Sequence, residues 1–348
     1  TLALALLSAL QPGLGLDEPD GAYVRGPRAL LVQPGLTQER KRELNSGTSP
    51  AELFDLQLDL TLTGLLAEDD AGRAVDLVAW GETMLPADLV HPPLADAVGE
   101  GADLSWPAWD RFVAPMLERE QGERRLVEAW IANEVGLLSA LRGGRFLEPR
   151  GERAQGWLAK PEDRARAAAL FAAGHFSAGA IAYTEVDGVV RRVNAVALWG
   201  PEGAPLGHGW KRHLVPGAES ALGLEEHAWA RAWAAKLMPY VPDMRAATEV
   251  GRLPAADGSW TAGAAVCFDN GFEDVFLESA ADGNDFVLLA SNEAWYVESQ
   301  EFDQMLALSR IWAVESGRSI VRATNSGVSC QVAPDGSIPD LLTVDGKD

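Results

Sequence analysis

Short runs rich in apolar residues recur along the chain at 29–33, 76–80, 176–183, 190–199, 261–267, 286–290, 320–324 and 328–332. Runs of this length, bounded by Pro, Gly, Asn or Asp, predict buried strands. Helical periodicity falls between them. Ser49 and Pro50 suit a helix cap and first turn, and Leu53, Leu56 and Leu60 follow at helical spacing. Segments 109–141 and 161–173 are rich in Arg, Glu, Ala and Leu, which predicts helices with solvated charged faces. Residues 302–316 predict a helix that ends at Gly317. Asp187-Gly188 predicts a hairpin between the runs on either side of it. Strands that alternate with helices along the whole chain predict a layered α/β or α+β domain.

Residues 1–16 carry no charge, yet are fewer than the roughly 20 apolar residues a membrane helix requires. Residues 1–27 are therefore set apart as an apolar segment and linker: the trimmed end of a membrane helix, a signal-peptide remnant, or a segment packed on the surface. No other stretch is long and apolar enough to span a bilayer.

Composition narrows the function. Hydrophobic residues make up 47% of the 348, enough for a sizeable core. With 51 acidic against 29 basic residues the net charge is -22, and such a surface repels phosphate backbones, which argues against nucleic acid as a partner. Two distant cysteines make no disulfide framework, and five histidines without a Cys/His cluster give no support for a metal site. No cofactor motif is evident.

Candidate chemistry sits where apolar runs end. Cys267 closes the run 261–267 just before the turn-forming Asp269-Asn270-Gly271; Glu82 follows the run 76–80; Lys211 lies between Trp210 and Leu214-Val215-Pro216. A lone cysteine is most often an inert buried thiol, a charged residue most often a solvated one. Together, though, these three would form an acyl-transfer set without a metal. Glu82 would take the thiol proton, Lys211 would stabilise the thiolate and then the oxyanion, and the backbone N–H of Phe268 would be a further oxyanion donor. Cys330, inside the run 328–332, is read as structural.

These residues also carry a resemblance. Leu77-Val78-Ala79-Trp80-Gly81-Glu82-Thr83, Lys211-Arg212-His213-Leu214-Val215-Pro216-Gly217-Ala218-Glu219, Val266-Cys267-Phe268-Asp269, Asn292-Glu293-Ala294-Trp295-Tyr296, Ala313-Val314-Glu315-Ser316-Gly317-Arg318 and Arg322-Ala323-Thr324-Asn325-Ser326-Gly327-Val328-Ser329 occur in order. They resemble the motifs of the nitrilase (carbon–nitrogen hydrolase) superfamily, and within it the catalytic domain of bacterial apolipoprotein N-acyltransferases. The resemblance implies an α+β, nitrilase-like four-layer αββα sandwich over residues 28–348, with an extended helical insertion at about 101–174. It implies Cys267 as nucleophile, Glu82 as general base, Lys211 as oxyanion stabiliser and Glu219 as an assisting carboxylate. A phospholipid would be the acyl donor, the N-terminal amine of a diacylglyceryl-cysteine lipoprotein the acceptor, and the periplasmic face of a bacterial inner membrane the location. The alternatives are a hydrolase with water as acceptor and a non-catalytic binding relative. Against the family pattern, Gly81 stands for Pro, Asp269 for Glu, Gly217-Ala218 for Phe-Gly, and Glu293 for Asp.

Overall fold

The computed structural model describes residues 4–9, 26–37, 50–84, 89–90, 160–186, 189–203, 205–224, 227, 229–230, 233, 236, 244–296 and 299–339. Twelve strands are described: β1 (Leu4–Ala9), β2 (Arg28–Gln33), β3 (Leu77–Trp80), β4 (Leu89–Val90), β5 (His175–Val186), β6 (Val189–Trp199), β7 (Pro205–Trp210), β8 (Arg252–Pro254), β9 (Thr261–Val266), β10 (Phe286–Ser291), β11 (Ser319–Thr324) and β12 (Cys330–Val332). The described α-helices are α1 (Pro50–Asp70), α2 (Pro161–Ala173), α3 (Glu273–Ala281) and α4 (Glu301–Ser316).

The strands form two sheets. The first runs β1-β2-β3-β5-β6-β7, with β4 paired to β5; the second runs β12-β11-β10-β9-β8. In the second, β9, β10 and β11 are parallel, and β8 and β12 are antiparallel edges. In the first, β2, β3 and β5 are parallel, and β5, β6 and β7 are antiparallel. The β5–β6 pairing extends to Val186↔Val189, the hairpin expected around Asp187-Gly188. Of the opening apolar segment, residues 4–9 form β1, antiparallel to β2.

The period of two in the first sheet sorts its side chains between two cores. Ala29, Leu31, Leu77, Ala79, Val196 and Leu198 pack toward the second sheet. Leu30, Val32, Val78, Trp80, Val193, Ala195 and Ala197 pack against α1 and α2, meeting Leu58, Leu62, Leu65 and Phe171. The central strands of the second sheet are covered on both faces, which is why β9 and β10 read as continuous runs of small or apolar residues, while β11 adds the buried Arg322. Helices α3 and α4 cover its outer face through Val275, Phe276 and Ala313. The layers are thus helix, sheet, sheet, helix: the αββα sandwich. The helix α2 matches the segment expected at 161–173; the helix expected at 109–141 lies outside the described residues.

The two sheets are joined at the carboxyl ends of their parallel strands. Just past β3, the Glu82 N–H donates across the sheets to the Ser291 carbonyl at 3.2 Å, and just past β2 the Gly35 N–H donates to the Asn325 carbonyl at 2.8 Å; within the second sheet the Asn325 N–H donates to the same Ser291 carbonyl at 3.0 Å. The Gly179 N–H of β5 donates to the Gly81 carbonyl at 3.2 Å. Such close approach needs glycine, because a Cβ on Gly179 would lie 2.6 Å from the Glu82 Cα. Carboxyl ends of parallel strands are where loops leave the sheet and side chains can converge.

Candidate active site

The four side chains singled out in the sequence converge at that junction. Cys267 begins a single 3-10 turn, Cys267–Gly271, directly after β9. Its φ of 47° is left-handed, a conformation that strains a residue with a Cβ and that recurs at functional sites. Thr83, next to Glu82, is left-handed as well, with φ 50°. Lys211 follows β7 and is 1% exposed; Glu82 is buried too.

Lys211 Nζ lies 3.6 Å from Glu82 Oε1 and 2.9 Å from Glu219 Oε2. Glu219 is held by its own loop, since the Val215 N–H donates to Oε2 at 2.9 Å. Burial alone would lower the Lys211 pKa, but the Cys267, Glu82 and Glu219 charges outweigh it and hold the ammonium well above its ordinary range. The cation is thus fixed in place by two carboxylates.

Cys267 as a residue is half-buried while its thiol is enclosed. Burial, chiefly, and then the Glu82 charge push the thiol up to about 12, against the opposing pull of Lys211. It donates a hydrogen bond to the Glu82 carboxylate, and the Asn292 backbone N–H points at the sulfur. At neutral pH Cys267 is therefore a protonated thiol beside the Glu82 carboxylate. Phe268 follows it in the 3-10 turn, its ring edge-on to Phe272 at 5.3 Å.

Two polar residues missed in the sequence complete the site. Asn194 of β6 donates from Nδ2 to Glu82 Oε1 at 2.7 Å and to Glu219 Oε1 at 2.9 Å. A signal for it exists: Asn194, Val196 and Leu198 share one face of the strand, so a lone amide stands in an apolar row. Asn292 brings its N–H to the sulfur from the end of β10, and only the tertiary pairing of β9 with β10 makes it a neighbour of Cys267.

Asp269, shorter than the carboxylate of the family pattern, is fully used. It accepts backbone N–H groups from His213 at 2.7 Å, from Val266 at 3.0 Å and from Arg212 at 3.1 Å. It thus ties the Lys211 loop to the Cys267 turn. Burial nonetheless raises its carboxyl to about 6. Cys330 is fully buried in β12 against the core and is a free thiol. Beyond Glu219 several apolar side chains stand in solvent: Trp229 is 69% exposed and Trp233 64%, and Trp295, three residues past Asn292, is 57% exposed.

Comparison with known proteins decides the family. The family model described as carbon-nitrogen hydrolase matches residues 161–341, just over half of the chain. The chain belongs to the carbon-nitrogen hydrolase family. Among curated relatives of this hydrolase-family chain, the apolipoprotein N-acyltransferase of Neisseria meningitidis serogroup A is 39% identical over 84 residues, which cover 23% of this chain and 16% of the relative. The apolipoprotein N-acyltransferase of Gloeobacter violaceus is 36% identical over 124 residues, 36% of this chain and 23% of the relative. The chain thus matches less than a quarter of the length of either. Among solved structures, an amidase from Nesterenkonia sp. in covalent complex with an acetamide moiety is similar at TM-score 0.48 and 15% identity, covering 93% of this chain and 90% of that one. A carbon-nitrogen hydrolase from Helicobacter pylori gives TM-score 0.47 at 11% identity, with 84% and 80% covered.

Proposed function

We propose that this carbon–nitrogen hydrolase-family domain is an N-acyltransferase that moves an acyl chain from a phospholipid to the N-terminal amine of a diacylglyceryl-cysteine lipoprotein. The observation that carries the chemistry is the Cys267 thiol, hydrogen-bonded to the buried Glu82 carboxylate beside the buried Lys211 ammonium. The choice of reaction is supported by the curated relatives, whose names give apolipoprotein N-acyltransferase.

In the first half-reaction Glu82 removes the thiol proton as Sγ attacks the ester carbonyl of the phospholipid. The carbonyl oxygen becomes an oxyanion, stabilised by the Lys211 ammonium and the Phe268 backbone N–H. Collapse breaks the ester C–O bond. Glu82 returns the proton to the departing alkoxide of the lysophospholipid, and the acyl group stays on Cys267 as a thioester. In the second half-reaction the acceptor amine attacks the thioester, Glu82 takes its proton, and the thiolate leaves and is reprotonated. Glu219 holds the cation throughout. The site needs no metal or cofactor for this sequence of steps.

The exposed Trp229, Trp233 and Trp295 give the domain apolar side chains in solvent, which suits a lipid donor presented at a membrane surface. The periplasmic face of a bacterial inner membrane is the corresponding location. Among the described residues no helix is long and apolar enough to cross a membrane.

A second reading, hydrolysis with water as acceptor, is supported by the family model itself. The two are separated by incubating the intact protein with phosphatidylethanolamine vesicles and a synthetic diacylglyceryl-cysteine peptide. The proposal expects a peptide heavier by one acyl chain, absent with Cys267→Ala. Free fatty acid with an unchanged peptide would replace the transferase by a hydrolase; neither product would leave a non-catalytic relative.

A further inference from the structure

We propose that Asn194 is a positioning residue that sets the two site carboxylates around the Lys211 ammonium, and that it must be a neutral hydrogen-bond donor to do so. The inference rests on the reading of Glu82 as the base that deprotonates Cys267.

Asn194 touches each charged partner of that base. Both hydrogens of Nδ2 are used, one on Glu82 Oε1 at 2.7 Å and one on Glu219 Oε1 at 2.9 Å. Its backbone carbonyl accepts the Lys211 N–H at 2.8 Å, so the same residue fixes where the lysine side chain starts. The donor face is dictated by chemistry. The reverse amide orientation would set Oδ1 against two carboxylate oxygens. In the observed orientation Oδ1 is buried and makes no hydrogen bond. An unpaired buried acceptor is a cost that an apolar side chain of similar volume would avoid. The amide is therefore retained for its two donors and not for packing.

The charge balance explains why the donor must be neutral. Glu82 and Glu219 face one ammonium, with Lys211 Nζ 3.6 Å and 2.9 Å away. Arg192, two positions earlier on β6, and, after β9, the Cys267 thiol and the Asp269 carboxyl, on which the Lys211 charge acts, are the other titratable groups nearby on these elements. Asn194 lets the two carboxylates converge without adding charge. An aspartate there would bring a third carboxylate to within hydrogen-bond distance of both, and one proton would be retained among them.

The test is the pH dependence of Cys267 acylation by a short-chain p-nitrophenyl ester, followed by intact mass and nitrophenolate release. In that step the Sγ–carbonyl bond forms, the ester C–O bond breaks, and the thiol proton passes through Glu82 to the nitrophenolate. For Asn194→Asp the acid limb of the profile should move up by about one pH unit or more, because Glu82 must now ionise beside another carboxylate. For Asn194→Leu the rate should fall by about a hundredfold at every pH, with no upward shift of the limb. A merely structural role would lower the folded fraction and leave the midpoint in place. An Asn194→Asp profile that superimposes on that of the unaltered protein overturns the inference. If Asn194→Asp does not fold at neutral pH, its folding must recover at low pH, where the added carboxyl is protonated; pH-indifferent misfolding likewise overturns it. The ester reports on Asn194 whatever the natural donor is: a shifted limb without any acyl adduct from phospholipid would uphold Asn194 and refute the lipid donor.

Discussion

The Cys267 thiol is held protonated at rest, at about 12, by its burial and by the Glu82 carboxylate beside it. Under the proposed mechanism Glu82 plays two opposed parts: its charge disfavours the free thiolate, and it would serve as the base during attack. The two can be separated by Glu82→Gln. The carboxylate's charge and its hydrogen bond both raise the thiol, so their removal should bring the thiolate midpoint down, read by ultraviolet titration. Acyl transfer should nevertheless fall by about two to four powers of ten, since no base remains. A variant with unchanged turnover would remove Glu82 from the mechanism. At this scale much was legible. Glu82 follows the apolar run 76–80, Cys267 closes the run 261–267, and Lys211 stands between Trp210 and Leu214-Val215-Pro216, strand-end or apolar surroundings in which a solvated role is least expected. Glu219 was legible through its distance from Lys211 in a motif. Asn194 was not, because it lies within the run 190–199, and only alternation along β6, set against known partners, shows that it breaks an apolar face.

At the scale of elements, the site depends on how closely the ends of β3, β5, β10 and β11 approach. A Cβ on Gly81 would lie 2.7 Å from the Asn325 nitrogen and 2.8 Å from the Ser291 oxygen. The proline of the resembled family carries such a Cβ, so the strand ends here sit closer than that residue would permit. Both atoms belong to backbone, which cannot swing aside as a side chain can. Gly81→Ala should therefore destabilise the fold by about 1–3 kcal/mol. The displaced Glu82 should lower acyl transfer further, and thermal unfolding of the variant checks the first part. An unaltered melting temperature would mean that the junction is more pliable than its backbone contacts indicate. The strands themselves were readable from their apolar runs, and the β5–β6 hairpin from Asp187-Gly188. The meeting of the two sheets was not, because it rests in part on main-chain hydrogen bonds, from Glu82 to the Ser291 carbonyl and from Gly35 to the Asn325 carbonyl, which no side-chain pattern encodes.

At the scale of the molecule, an αββα sandwich sets two sheets so that residues from β3, β6, β7 and β9 share one small volume. The layering follows from alternating strands and helices, and the order of strands within each sheet does not. The net charge of -22 disfavours a nucleic-acid partner on physical grounds and is indifferent to the choice between amine and water as acceptor. The exposed tryptophans past Glu219 are the feature at this scale that bears on the donor. The central claim is that Cys267 carries the acyl chain as a thioester. It is tested most directly by incubating the intact protein with phosphatidylethanolamine vesicles and no acceptor, then locating the added mass by peptide mass spectrometry. One acyl group is expected on the peptide containing Cys267, released by hydroxylamine and absent from Cys267→Ala. An adduct on any other residue, or none at all, would contradict that claim.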